Sequence, residues 1–217
     1  MKSYNEHLKS ISTNKIINKK NQLVLRSSAI FPCLVNKDLD TKILFMGYWM
    51  LKKNIKNITL SYKLRNQAGE LIIKKERKIN QVKSYLLSVK KLISKKKITN
   101  NFIGSIELEF LSKKNLTYPF PACVINFDYK NGSSFVHTTG RTYNNTLDLN
   151  ENSKFVVPEG GFDITPNLSS YPFISFVNGP KKLKKQFLKI KIINFKNEHF
   201  FKNINLGILK PFETKFI

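Results

Sequence analysis

Cysteine is nearly missing: Cys33 and Cys123 are the only two in 217 residues, and they form no CxxC pair. That excludes a disulfide framework and a thiolate metal knuckle as the basis of the fold. Free thiols and a cytoplasmic location are the default expectation, with a single disulfide as the alternative. No apolar run reaches the ~18 residues that a membrane-spanning helix needs. Met1–Gln22 is polar and lysine-rich and lacks the apolar centre of a secretory signal. Motifs of chemistry are missing too. There is no GxSxG, no GxGxxG, no phosphate loop and no ligand set at diagnostic metal spacing. No residue is therefore assigned as catalytic, and neither a cofactor nor a metal is expected.

Acids are scarce: 14 Asp and Glu stand against 38 Lys and Arg, for a formal net charge of +24. Such a balance suggests a nucleic acid, an anionic lipid or an acidic partner. Arginine, however, occurs only at Arg26, Arg65, Arg77 and Arg141, and alanine only at Ala29, Ala68 and Ala122. Lysine, asparagine and isoleucine are abundant, as a base-composition bias toward A and T would make them. The bland reading is a solvated lysine surface. The arginine fork suits phosphate and base contacts better than lysine does, so sequence-specific readout is disfavoured. Lysine runs such as Lys95–Lys97 and Lys181–Lys185 leave non-specific contact with a polyanion as an expectation.

What is present is a succession of short apolar runs punctuated by turn residues. Hydrophobic residues make up 41% of the chain, enough for a packed core. The first strand gathers Leu23–Leu25 with Ile30 and Phe31 and stops at Pro32. Ile43–Leu51 reads as an apolar strand carrying Trp49, the only tryptophan. Ile58, Leu60, Tyr62 and Leu64 alternate with polar residues, the mark of a half-buried strand. Asn66-Gln67-Ala68-Gly69 reads as a hairpin turn, with a return strand to Ile79. Residues 82–97 read as a strand with a helical turn at Lys90–Lys95. Ile106, Leu108 and Phe110 alternate with Glu107 and Glu109, which predicts a strand exposing its acids. Pro119-Phe120-Pro121 forces an extended crossing. Ala122–Tyr129 and Ser134–Thr139 are further strands, joined by a tight turn at Asn131-Gly132.

This spacing predicts an all-β chain: an immunoglobulin-like β-sandwich followed by a second, partial sandwich unit. The expected divisions are a polar tail over 1–21, a sandwich over 22–130 and a second β unit, less than complete, over 131–217. Leu51–Leu60 and Leu183–Ile192 resemble each other, which suggests an internal repeat. An incomplete second unit leaves an open sheet edge for self-association or a protein partner.

One window departs from the lysine-rich norm. Leu116–Pro180 has three basic residues against five acids, and holds six of the eight prolines and five of the nine glycines. A ligand site is expected there, at His137, Arg141, Tyr143, Glu159 and Asp163. His137 and Arg141 can converge on an anion or a sugar hydroxyl, with Tyr143 as a stacking surface. Glu159 and Asp163 flank the glycine pair of Pro158-Glu159-Gly160-Gly161-Phe162-Asp163. They offer a carboxylate pair for acid–base chemistry or ligands for calcium. The bland alternatives are a strand histidine, a paired arginine and a turn whose acids offset nearby lysines. The leading expectation is a non-enzymatic binding or structural module for a carbohydrate or other polar, anionic molecule. The alternatives are a carbohydrate-active enzyme using Glu159 and Asp163, or lysine-mediated polyanion binding.

Overall fold

The computed structural model describes residues 23–98, 101–137, 173–194 and 196–217. The chain is all-β, as the alternation predicts. Two four-stranded antiparallel sheets form its body. The first runs β1 (Arg26–Val35), β6 (Phe102–Leu111), β3 (Ile58–Asn66), β4 (Leu71–Ile79). The second runs β5 (Ser84–Ser88), β2 (Leu39–Met46), β7 (Cys123–Tyr129), β8 (Gly132–His137). The inward residues of both sheets join one buried cluster, with Leu60, Ile106 and Leu108 from the first and Ile43, Ile125 and Leu87 from the second. Phe45 of β2 meets Phe110 of β6 edge-on, ring centroids 5.1 Å apart, across the space between the sheets. Advancing every strand number by four, counting on from β8 to β1, turns the order of the first sheet into that of the second.

Local chemistry sets the turns. Thr41 Oγ1 accepts from the Leu34 N–H at 2.9 Å and donates to the Leu34 carbonyl at 2.7 Å, closing the β1–β2 connection. The expected hairpin turn at 66–69 is present: Gly69 N–H donates to Asn66 O at 3.0 Å. Gly69 sits at φ +89, a conformation that glycine adopts without cost. β8 pairs with β7 from Tyr129↔Gly132 to Val124↔His137, so the second sheet runs past residue 130.

Several sequence expectations need correction. Pro32 does not stop the first strand; β1 continues to Val35, with Pro32 opposite Ser105. A proline is tolerated there because β1 lies at the edge of its sheet. The run Ile43–Leu51 is not one strand. β2 ends at Met46 and a short helix, α1 (Tyr48–Lys53), carries Trp49. An apolar run of that length cannot be told from a buried helical turn by pattern alone. The second helix, α2 (Val89–Ser94), falls where a helical turn was expected. Ser88 caps it, accepting from Lys91 N–H, and Asp40 accepts from Lys90 N–H at 2.9 Å. The two halves of the proposed repeat differ in structure: Leu51–Lys53 is helical, whereas Leu183–Ile193 is one continuous strand.

The C-terminal residues form two small antiparallel sheets. β9 (Ser175–Val177) pairs with β12 (Thr214–Phe216), and β10 (Leu183–Ile193) pairs with β11 (His199–Leu209). The short pair docks on the body through the turn after β11. Thr214 N–H donates to Gln67 O at 3.0 Å, and the Phe173 ring meets Phe127 of β7 at 6.0 Å. Asn178 ties this turn together from a buried position. Its Nδ2 donates to Lys181 O at 2.8 Å and to Lys210 O at 2.7 Å. No helix among the described residues is long and apolar enough to cross a membrane.

Candidate functional site

Of the five residues expected to hold a ligand, His137 is described. Arg141, Tyr143, Glu159 and Asp163 lie outside the described residues. His137 ends β8, opposite Val124, and is exposed. It lines a recess of about 270 Å³ together with Tyr48, Trp49, Tyr118, Phe120 and Phe45.

Each wall of this recess has a local cause. Gly47 follows β2 and lets the chain turn into α1. A Cβ at that position would come within 2.6 Å of Gln81 O. Trp49 is buried on α1 against Phe110, ring centroids 5.0 Å apart. Its indole Nε1–H donates to Leu116 O at 3.0 Å, so the one polar atom of the ring is satisfied. The crossing that bears Tyr118 and Phe120 is held against the first sheet. Leu116 N–H donates to Val24 O at 2.7 Å, and Pro119 O accepts from Ser28 N–H at 2.9 Å. Tyr118 and Phe120 then stand 6.4 Å apart, with tilted rings and partial exposure. The result is an aromatic cleft with one imidazole among its walls. Apolar rings gain by covering an apolar face, and an imidazole can donate or accept a hydrogen bond.

A second cluster was not foreseen. Glu107 and Glu109, expected to be exposed, are buried on the outer face of the first sheet. Antiparallel register puts Lys63 opposite Glu107 on β3 and Ser28 opposite Glu109 on β1. Arg65 Nη1 lies 2.8 Å from Glu107 Oε2, and Arg26 Nε donates to Glu109 Oε1 at 2.8 Å. Lys63 pairs with Glu109 and stands 3.6 Å from Glu107. Burial without these cations would be prohibitive for a carboxylate. The available signal was the arginines. In a chain that uses lysine almost everywhere, Arg26 and Arg65 mark positions where a planar fork is needed.

Other candidates resolve as structural. Cys33 and Cys123 are buried in β1 and β7 and form no disulfide. Burial pushes the Cys33 thiol far above its ordinary value, which keeps it protonated and unreactive. His199, expected in a polar turn, instead opens β11, and its ring meets Phe201 edge-on at 6.4 Å. Among the described residues, no group of three or more His, Cys, Asp or Glu is placed to hold a metal ion. No protein-family model matches the chain, and neither a curated protein nor a solved structure matches it.

Proposed function

We propose that the chain is a non-enzymatic binding module that holds a carbohydrate, or another small polar molecule with one apolar face, in the recess beside His137. The observation that carries this reading is the recess itself: aromatic walls from three different segments, with a single imidazole among them. At about 270 Å³ it falls just below the usual range of small-molecule sites, which run from roughly 300 Å³ upward, and suits a single ring better than an extended chain. Arg141 and Tyr143 follow His137 closely in sequence; Arg141 is assigned to the ligand's polar edge and Tyr143 to a stacking surface. Glu159 and Asp163 complete the proposed set.

The frame is taken as immunoglobulin-like. The support is the pairing of β2 with β5 in one sheet and of β3 with β4 and β6 in the other. This is how strands B and E, and C, C′ and F, are arranged in such sandwiches. β1 then occupies the place of the last strand and β7 that of the first, each antiparallel to its neighbour. β9–β12 stand as the partial second unit.

The test uses Trp49, whose emission reports on the recess. Purified protein is titrated with neutral and acidic monosaccharides, following Trp49 emission and melting temperature. Binding of one sugar that weakens in His137→Ala and Tyr118→Ala supports the reading. A panel that moves neither signal overturns it. Glu159→Gln and Asp163→Asn separate module from enzyme: turnover lost with binding kept would establish the enzyme instead.

One observation favours self-association as a second reading. Among the described residues β8 is an edge strand, and its segment Gly132–His137 is exposed and carries no lysine and no proline. An edge strand of the other sheet, β4, is guarded by Lys74, Lys75, Arg77 and Lys78. Sedimentation showing dimers that Phe135→Lys abolishes would support it; a monomer at every concentration would end it.

A further inference from the structure

The β10–β11 hairpin and its flanks are strongly basic. Between Lys181 and Lys210 nine lysines stand against one acid, Glu198. Each strand has 11 residues, so the ribbon extends about 35 Å at ~3.3 Å per residue. The register sorts its two faces. Phe187↔Asn205, Lys189↔Asn203, Lys191↔Phe201 and Ile193↔His199 lie on one side; Leu188↔Ile204, Ile190↔Lys202 and Ile192↔Phe200 lie on the other.

The second face is predominantly apolar, with Leu188, Ile190 and Ile204 half-buried. The first is wet, and solvation alone accounts for its lysines and asparagines. It does not account for two phenylalanines among them. Phe187 is 58% exposed and Phe201 73% exposed, both on the lysine side of the ribbon. Each ring has an ammonium above it. Lys185 Nζ stands 5.3 Å from the Phe187 centroid, and Lys191 Nζ 6.0 Å from that of Phe201. His199 extends the second platform.

We infer that this face binds single-stranded nucleic acid. Phe187 and Phe201 are the stacking platforms for unpaired bases. Lys185, Lys189 and Lys191 meet the phosphates, and Asn203 and Asn205 offer hydrogen bonds to base or sugar. Flat exposed rings interleaved with cations and amides match an unpaired strand, whose bases have free faces. A duplex hides those faces, and an acidic polysaccharide offers charge without aromatic bases. Lysine and phenylalanine carry little base-edge discrimination, so binding is largely indifferent to sequence. The site is separate from the recess beside His137, and neither proposal depends on the other.

The test measures anisotropy of a fluorescein-labelled oligothymidylate with the full chain, beside a duplex of mixed sequence, heparin and vesicles rich in phosphatidylserine. The oligothymidylate is expected to bind more tightly than the duplex. Phe187→Ala and Phe201→Ala should each weaken it roughly tenfold. Lys189→Gln and Lys191→Gln should each flatten the slope of log affinity against log salt by about 0.7. Lys74→Gln with Lys78→Gln, on β4, removes as much charge elsewhere and should leave affinity within about twofold at matched salt. All these side chains are exposed, and Trp49 emission checks that each variant is folded. Three results would overturn the inference: binding that ignores the two rings, equal loss from the β4 pair, or tight vesicle or heparin binding without oligothymidylate binding.

Discussion

The guanidinium carbon of Arg65 stands 4.1 Å from the centroid of the Phe212 ring. The same guanidinium reaches Glu107 at 2.8 Å. One side chain thus joins a buried carboxylate on β6 to the turn that follows β11. Phe212 sits at φ +57, uncommon for a bulky residue. Its N–H donates to Gly179 O at 3.0 Å, and the stack over Arg65 holds the ring in place. Phe212→Leu is expected to cost about 1–2 kcal/mol by chemical denaturation. In a double-mutant cycle with Arg65→Lys the two losses should fall short of additivity, because either change removes the same contact.

Glu107 is fully buried among Arg65, Arg26 and Lys63. Glu107→Ala strands cations that burial cannot accommodate, and about 3–5 kcal/mol should be lost. Glu109→Ala should lose less, since its side chain retains some exposure. Urea midpoints of the two variants check the order.

Gly69 and Gly132 both stand at hairpin turns, and they should respond differently to alanine. A Cβ on Gly69 would lie 2.1 Å from Pro211 O, at a backbone angle that alanine resists. Gly69→Ala should cost more than about 1 kcal/mol and loosen the C-terminal turn. A Cβ on Gly132 meets nothing within 4 Å. Gly132→Ala should be close to neutral, and thermal melts of the two variants decide.

Glu213 gives the C-terminal turn a pH dependence. Desolvation works to raise its carboxyl pKa, but the hydrogen bonds from Lys215 and from Lys210 N–H, with both charges, outweigh it and hold the group below its ordinary value. A carboxyl depressed in the folded state stabilises that state above the unfolded pKa. The contribution disappears as pH falls through the lowered folded value. Melting temperature should therefore drop on acidification through the carboxylate range more steeply in the native chain than in Glu213→Gln. Parallel curves would show that the group is inert.

Both thiols should be closed to reagents. Cys33 and Cys123 are buried, and burial holds the Cys33 thiol protonated. Ellman's reagent is expected to titrate neither in native buffer and both in denaturant. Fast native labelling of Cys33 would mean that β1 opens.

The strands were legible because alternation is a local property. Ile58–Leu64 and Ile106–Phe110 each show one apolar face, and each lies in a four-stranded sheet. The same alternation says nothing about what covers the other face. Glu107 and Glu109 were therefore misjudged: their shielding depends on Arg26 and Arg65, each more than about 40 residues away in sequence. Trp49 was misplaced for a related reason. Its run is apolar whether the chain continues as a strand or coils after Gly47, and the turn depends on how closely Gln81 approaches. Of the residues that line the recess, His137 was legible as a strand residue. The aromatic walls around it were not, because Tyr48, Tyr118 and Phe120 come together only through the crossing that hydrogen-bonds to Val24 and Ser28.

The shared strand order of the two sheets has a consequence for how the chain is made. Apart from the β3–β4 and β7–β8 hairpins, every ladder in the body joins one of the first four strands to one of the last four. Neither half can complete a sheet before the other exists. A ribosome releasing β1–β4 releases one hairpin and two apolar strands without neighbours. Closure of long loops must precede most of the pairing, so folding should be slow. Severed between β4 and β5, the halves should each be disordered and should assemble only on mixing. Two intact chains can satisfy the same ladders by trading halves, which makes an intertwined dimer the natural product of folding at high concentration.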